Sequence, residues 1–445
     1  MASSLALGGG APIISAAEHV RWPVINERDR AAVLAVLERG VLSGPFAPEV
    51  RGLERAFADH LGVKHCLATN SGTAAIHIAL AAAGVGPGDE VITSAYSFVA
   101  TAMAVLQQSA IPVFVDIEPE SCGIDPRLIE AAITPRTKAI LPVHIHGAPC
   151  DIEPIRAIAR RHGLVLIEDA AQAHGASYGG KRVGTFGAMA AFSLQSSKSL
   201  ACGEGGLFVT DDDELWRRAN RTRMFGEEMN AADEANYRLD HALDGTRAYD
   251  SVAPGWMYRT NEMSAALARS QLARLEESNA QARRNAELLR RRLSELPGVA
   301  LLAPPPGRTS CFHKVRVRLD ATRVGIHATS RGVRDAMLKA LRAEGVEAVL
   351  WQTQPVPGQT LFREKNRAGG GHPWSRARDI NYDLAQYPQT VQLLDGSLIL
   401  FSQTYPIAPQ TPALVERYGE AFAKVWSRLD EVLSLCEQGE QAERG

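Results

Sequence analysis

The chain has 445 residues, of which 45% are hydrophobic and 22% charged, and its 48 Lys+Arg against 50 Asp+Glu leave a net charge of −2. That near-neutrality argues against a nucleic-acid partner or an anionic membrane surface, and the length is enough to bury a large core in two domains. No secretory signal or membrane span is read, and six cysteines without Cys-x-x-Cys spacing argue against a zinc ribbon or disulfide framework, so a reduced cytoplasm is the expected compartment.

After an N-terminal arm over 1–22, apolar residues at helical spacing predict a helix over 26–39, stopped by Gly40. The apolar run 66–69 leads into Asn70-Ser71-Gly72-Thr73 and then an alanine-rich stretch, 74–83, of high helix propensity. A strand, a small polar turn and a helix start make an anion site, because free backbone amides and the positive helix end point at one spot. The anion in view is a phosphate: Ser71 and Thr73 offer hydroxyl donors and Gly72 lets the backbone come close. Ordinary helix capping by Ser71 accounts for the same residues.

From 63 to 210, apolar runs at 91–94, 112–115, 139–143, 164–167 and 206–210 alternate with helical stretches. This predicts an α/β fold, a mostly parallel sheet covered by helices on both faces, with ligands at the carboxyl ends of strands. Tyr96 follows one such strand, placed either to stack on a flat ring or to pack in the core. His144 and His146 share a strand end, Pro142-Val-His-Ile-His-Gly147; without a third ligand in view, structural or substrate-facing roles are favoured over a metal site.

The run Gly163-Leu-Val-Leu-Ile-Glu-Asp169 reads as a buried strand ending in a carboxylate. Downstream, Phe192-Ser-Leu-Gln-Ser-Ser-Lys198 places Ser193 and Lys198 in a small-residue loop before Gly203-Glu-Gly-Gly206. A lysine able to form a Schiff base, with a carboxylate to keep a pyridinium nitrogen protonated, is what pyridoxal 5'-phosphate (PLP) chemistry needs. Lys198 is then also the base that moves a proton between two carbons. Each residue alone has an ordinary reading: Lys198 as a solvated loop lysine, Asp169 as a helix cap.

Beyond this motif, 225–254 is polar and weakly periodic and is expected to be a surface excursion near the site. A long helix from about 261 to 295 should link a large PLP-binding domain, 23–296, to a smaller α+β domain, 297–445, that opens after the break at 302–308 with a strand over 314–319. Gln352 and Gln354 beside Trp351 suit a polyol, or belong to a proline-rich surface loop. Arg363, Arg367, Arg376 and Arg378, with Lys365 and Gly369-Gly-Gly371, suit a diphosphate clamp or a mobile charged loop.

Together, Ser71-Gly-Thr73, Tyr96, Glu168-Asp-Ala-Ala-Gln172, Ser193 five before Lys198, and Gly203-Glu-Gly-Gly206 resemble the DegT/StrS-type aminotransferases, which aminate keto-sugars and cyclitols. The match runs from about Trp22 to Leu275 and weakens beyond. The resemblance implies a fold-type I PLP enzyme, a homodimer with sites at the subunit interface, in which Ser193 binds the phosphate, Asp169 pairs with the pyridine nitrogen and Gln172 contacts the ring hydroxyl. In the family an asparagine often reaches across the dimer to the neighbouring phosphate; here Gly255-Trp-Met-Tyr-Arg259 has Met257 there, leaving Arg259 and Asn261 as candidates to replace it. Family dehydratases carry histidine in place of the Schiff-base lysine, so Lys198 favours amination. The expected activity is transfer of an amino group from L-glutamine or L-glutamate to a keto-cyclitol or keto-sugar. The alternatives are a PLP-dependent sugar dehydratase or eliminase and a non-catalytic PLP-binding regulator.

Overall fold

The computed structural model describes residues 4–44, 46–228, 250–376 and 380–444. The first long helix, Glu27–Arg39, begins and ends as its sequence dictates. Asn26 accepts from the Asp29 N–H while the Asp29 carboxylate takes the Asn26 N–H, and Gly40 closes the helix in the left-handed region at φ 76°.

The strands of the large unit are β1 (His65–Thr69), β2 (Glu90–Ser94), β3 (Ile111–Val115), β4 (Thr137–Leu141), β5 (Val165–Asp169), the short β6 (Ser177–Tyr178) and β7 (Lys181–Arg182), β8 (Met189–Ser193) and β9 (Gly206–Thr210). Seven of them form one sheet in the order β1-β9-β8-β5-β4-β2-β3. Only β9 runs against its neighbours. Side chains alternate between the two faces, each of which carries its own apolar cluster: Phe192 and Val209 point into one, Ala191 and Phe208 into the other. Strand β8 has no counterpart among the predicted runs. Its Ala190 and Ala191 have little strand propensity, but they are fully buried, and the burial of β8 between β5 and β9 overrides propensity.

The expected linking helix is two helices, Glu262–Leu272 and Leu275–Ser294, broken at Arg274, whose guanidinium bonds the Asp29 carboxylate at 2.6 Å and the Val24 carbonyl. The first packs beside the N-terminal helices, where buried Glu262 accepts from the Glu49 and Val50 amides. The second sends Ala282, Ala286, Leu289 and Leu293 into the C-terminal core.

That core is built on β10 (Val299–Leu301), β12 (Val315–Leu319), β13 (Ala348–Val349) and β14 (Ser397–Leu400), an antiparallel sheet in the order β10-β12-β14-β13; β11 (Arg308–Thr309) pairs instead with β6. The cores interleave along the chain more than a cut near Pro297 suggests. Leu5 and Ile14 of the arm join the C-terminal cluster, while Phe362, Trp374 and Tyr382 pack with β2 and β3 of the large unit. Of the predicted excursion over 225–254, residues 229–249 lie outside the described residues. Among the described residues no helix is long and apolar enough to cross a membrane.

Candidate active site

The carboxyl ends of β1, β5 and β8 and the loops that follow them meet around a cavity of about 460 Å³, a size suited to a small ligand. Ser71, Gly72, Thr73, Asp169, Gln172, Ser193 and Lys198 line it together; of the ten candidates for the coenzyme site, Tyr96, Arg259 and Asn261 do not.

The helix Gly72–Ala82 starts at this wall. Ser71 caps it, its Oγ accepting from the Ala74 N–H at 3.1 Å, so the capping reading holds while the Ser71 turn also faces the cavity. Gly72 is required by space: a Cβ there would come within 2.7 Å of the Ser193 Cβ. That close approach brings two hydroxyl-bearing turns and a helix N-terminus to one corner, a donor set suited to a phosphate. Gly72→Ala is expected to cost about 1–3 kcal/mol through overpacking against Ser193. Thermal denaturation measures it, and an unchanged midpoint would mean that the two turns do not need this approach.

Asp169 ends β5, 4% exposed. Its carboxylate accepts from Thr101 Oγ1 at 2.7 Å and from the Ala171 N–H at 3.1 Å, and Thr101 is bonded in turn to Ser97 at 2.6 Å. Burial raises its pKa, with Thr101 acting against that rise. A cationic ring N–H at this carboxylate would favour its charged form. Lys198 lies in the turn after β8, its backbone N–H donating to Gln195 and its carbonyl accepting from the Trp22 indole at 3.1 Å. Burial pulls its ammonium down to about 8, opposed by the charge of Asp169. The amine is therefore partly neutral at neutral pH and able to act as a nucleophile. Gln172 is held through its Oε1, which accepts from the His146 N–H at 2.9 Å; among the described residues its amide nitrogen has no protein partner. A phosphate corner, a carboxylate for a pyridinium and a free amide for a ring hydroxyl fit PLP.

The stacking expectation for Tyr96 needs correction. Tyr96 does not stack on a ring in the cavity: it is fully buried in a separate apolar cluster, its hydroxyl bonded to His146 and Arg316. The aromatic that faces the cavity two residues on is Phe98, 53% exposed. The strand ends before Tyr96, and a turn at Ala95-Tyr96-Ser97 exchanges the buried and facing positions. Asn261 is exposed and caps the helix Glu262–Leu272, accepting from the Ser264 N–H at 2.9 Å, and Arg259 is half-buried beside Met224. Neither lines the cavity of its own chain, which is compatible with the reach across a dimer expected of either, and that role stands as a proposal. Gln352 directs its amide to the Ser97 carbonyl and Gln354 is exposed; Trp351 alone of that stretch lines the cavity. Arg363 and Arg367 are exposed and away from it, and Arg378 lies outside the described residues.

His144 and His146 form no metal site: among the described residues no group of three His, Cys, Asp or Glu could hold an ion. His144 Nε2 donates instead to Glu168 at 2.9 Å, and the fully buried Glu168 carboxylate also accepts from the Gly184, Phe186 and Gly187 amides at 2.7 Å each. Burial acts to raise its pKa, but His144 and the amides outweigh it and hold the carboxyl below its usual range. Glu168→Ala would orphan all four donors and is expected to cost about 3–5 kcal/mol; a melting point near wild type would contradict this.

Several cavity residues carried no sequence signal. His313 comes from the C-terminal unit, and Gln403 lies beyond the motif region, each brought in by tertiary folding alone. Gln195, Ser197 and Glu204 sat unremarked inside the Lys198 motif, and Thr101 a few residues past Tyr96.

The model of the DegT/DnrJ/EryC1/StrS aminotransferase family matches residues 23–396. Protein MosB of Rhizobium meliloti is 34% identical over 421 residues, covering 94% of this chain and 79% of the relative. Among solved structures, 3-amino-5-hydroxybenzoic acid synthase is similar with a TM-score of 0.79 at 29% identity, covering 92% of this chain and 99% of that one. S. venezuelae DesV in complex with a ketimine intermediate gives 0.75 at 31%, covering 92% and 99%. DesI in the presence of its TDP-sugar product gives 0.78 at 28%, covering 97% and 98%. With this breadth of match the chain belongs to the DegT/DnrJ/EryC1/StrS family and is a fold-type I, PLP-dependent aminotransferase.

Proposed function

We propose that the enzyme transfers an amino group from L-glutamine or L-glutamate to a hydroxyl-rich cyclic ketone, a keto-cyclitol or keto-sugar. The observation that carries the substrate class is the polar lining around Lys198: Gln403 and the Ser97 hydroxyl, which is bonded to Thr101, stand beside the mutually bonded pair Gln195 and Ser197 and the carboxylate of Glu204, flanked by the apolar faces of Phe98 and Trp351. Groups that both donate and accept match ring hydroxyls, and a site built on such bonds rejects compounds that lack them. The family, and DesI with its TDP-sugar product, support the same class.

Within this reading the residues divide the work. The coenzyme supplies an aldehyde for the amino group and a ring that accepts an electron pair. Lys198 would hold that aldehyde, and its amine, when free, would be the base that moves a proton to and from the donor carbon. Asp169, fixed by Thr101 and the Ala171 amide, keeps the ring nitrogen protonated. Ser71, Thr73 and Ser193 bind the phosphate, and Gln172 bonds the ring hydroxyl. Phe98 takes the stacking role first given to Tyr96, and with Trp351 it restricts water at the cavity mouth.

A homodimer belongs to the same reading. Val252, Trp256 and Met257 are 53%, 38% and 47% exposed, an apolar strip on the segment that bears Arg259 and Asn261. Sedimentation is expected to show a dimer at working concentrations; monomer alone would exclude shared sites.

The substrate test pairs glutamine and glutamate with free keto-cyclitols, nucleotide-linked keto-sugars and 2-keto acids, each half-reaction followed by coenzyme absorbance. Turnover with a polyol ketone is expected. Efficient turnover of 2-keto acids alone would overturn the substrate class, and no absorbance change with either donor would favour a dehydratase or a non-catalytic protein.

A further inference from the structure

Behind Gln172 lies a buried polar assembly that the reaction does not use directly. Arg316, on β12 of the C-terminal unit, is 3% exposed, and no carboxylate pairs with it among the described residues. Its guanidinium donates to His146 Nε2 at 3.2 Å, to Ser397 Oγ on β14 at 2.7 Å and to the Tyr96 hydroxyl, and it lies 5.2 Å from the centre of the Tyr96 ring. The Tyr96 hydroxyl also meets His146 Nε2 at 2.7 Å. His146 adopts a left-handed backbone, φ 59°, and its N–H donates to Gln172 Oε1 at 2.9 Å. Trp351, which lines the cavity, packs edge-on against both rings, with centroids 5.9 Å from Tyr96 and 5.3 Å from His146.

As a device for stability alone this arrangement is poor. A buried guanidinium without a counter-charge, set against the Tyr96 ring and near Ile145, is harder to keep than an apolar side chain of similar volume. His146 Nδ1 is left buried without a partner, and a left-handed backbone at a residue other than glycine adds to the burden. What the arrangement secures is direction. Held at Nε2 by two groups, the His146 ring pins the short turn Ile145–Gly147 that carries it, so the His146 backbone N–H stays on Gln172 Oε1 and the Gln172 amide nitrogen is left as a donor at the cavity wall.

We propose that Tyr96, His146 and Arg316 are positioning residues, a bracket anchored on the C-terminal sheet that aims the amide of Gln172 at the coenzyme. The proposal rests on the reading that Gln172 bonds the coenzyme ring hydroxyl. It gives Tyr96 a role in the site without contact with the ring, and it couples the placement of β12 and β14 to how the coenzyme is held.

The test is a double-mutant cycle on the full-length apoprotein, reading the PLP dissociation constant and the ratio of the coenzyme absorbance bands at one fixed pH. Gln172→Ala should weaken binding about fivefold, the loss of one ordinary hydrogen bond, and change the band ratio. Tyr96→Phe keeps the ring and removes only the hydroxyl; His146→Asn keeps a residue that tolerates the left-handed backbone and removes the ring. Each should weaken binding about threefold in the wild-type background and add nothing once Gln172 is alanine. A purely structural role would leave the band ratio unmoved and give losses that add, and either result overturns the bracket. If Tyr96→Phe does not fold, His146→Asn carries the same comparison. A silent Gln172→Ala would overturn the ring-hydroxyl contact and the bracket with it, whereas an active Gln172→Ala beside silent Tyr96 and His146 variants would overturn the bracket alone.

Discussion

Lys198→Ala is expected to lower turnover by at least about 10³-fold, because one side chain both holds the coenzyme and moves the proton, and loss of a positioned acid–base group alone is worth about 10²–10⁴-fold. The melting point should hardly fall, since Lys198 stands at a cavity wall and its buried ammonium is disfavoured rather than stabilising. The same lysine sets a pH dependence. Its folded-state pKa of about 8 lies below the ordinary 10.5, so the reactive neutral amine makes up about a tenth of the population at pH 7 and most of it above pH 9. The rate at which the apoprotein captures coenzyme should therefore rise about tenfold per unit below pH 8 and level off above it. Stopped-flow absorbance measures this; a rate still climbing steeply at pH 10 would show an unperturbed lysine.

Asp169→Asn should lower turnover by about 10²–10³-fold with a far smaller effect on stability. Asparagine retains the size of the side chain; its one oxygen can still accept from the Ala171 amide while its NH2 donates to the Thr101 hydroxyl, but it carries no charge to keep a ring nitrogen protonated. Because burial raises the Asp169 pKa in the empty site, removing its charge also removes a desolvation cost, so the variant is expected to melt within about 1 kcal/mol of wild type. Steady-state turnover beside thermal denaturation checks both halves. Near wild-type turnover would exclude the pairing with the ring nitrogen.

What could be read from the chain was whatever depends on local chemistry. The stop at Gly40 and the Ser71 and Lys198 turns are written in consecutive residues, and the cavity gathers the Ser71 and Lys198 turns where strand ends were expected to place them. The errors fall where tertiary packing decides. Tyr96 and Phe98 are two aromatics two residues apart, and only the turn between them determines which faces the cavity. Arg274 breaks a helix whose periodicity runs through it, because its partners, Asp29 and Val24, lie far away in sequence. Gln352 and Gln354 suited a polyol by composition, yet the lining glutamines are Gln195 and Gln403, supplied by different regions of the chain. Arg316 and His313 drew no notice because nothing near them in sequence indicates that β12 lies against the coenzyme wall.

The central claim is that Lys198 is the lysine that carries the coenzyme, and the structure offers a specific rival. Lys314 is 4% exposed, and burial with the nearby charge of Lys198 pulls its ammonium down to about 7, so low pKa alone would select it. Geometry selects otherwise: Lys198 lines the cavity with Asp169 and the Ser71 turn, and Lys314 does not. Borohydride reduction of the PLP-loaded enzyme followed by peptide mapping decides between them. The account predicts a single labelled peptide containing Lys198; a label on Lys314, or on any other lysine, would contradict it.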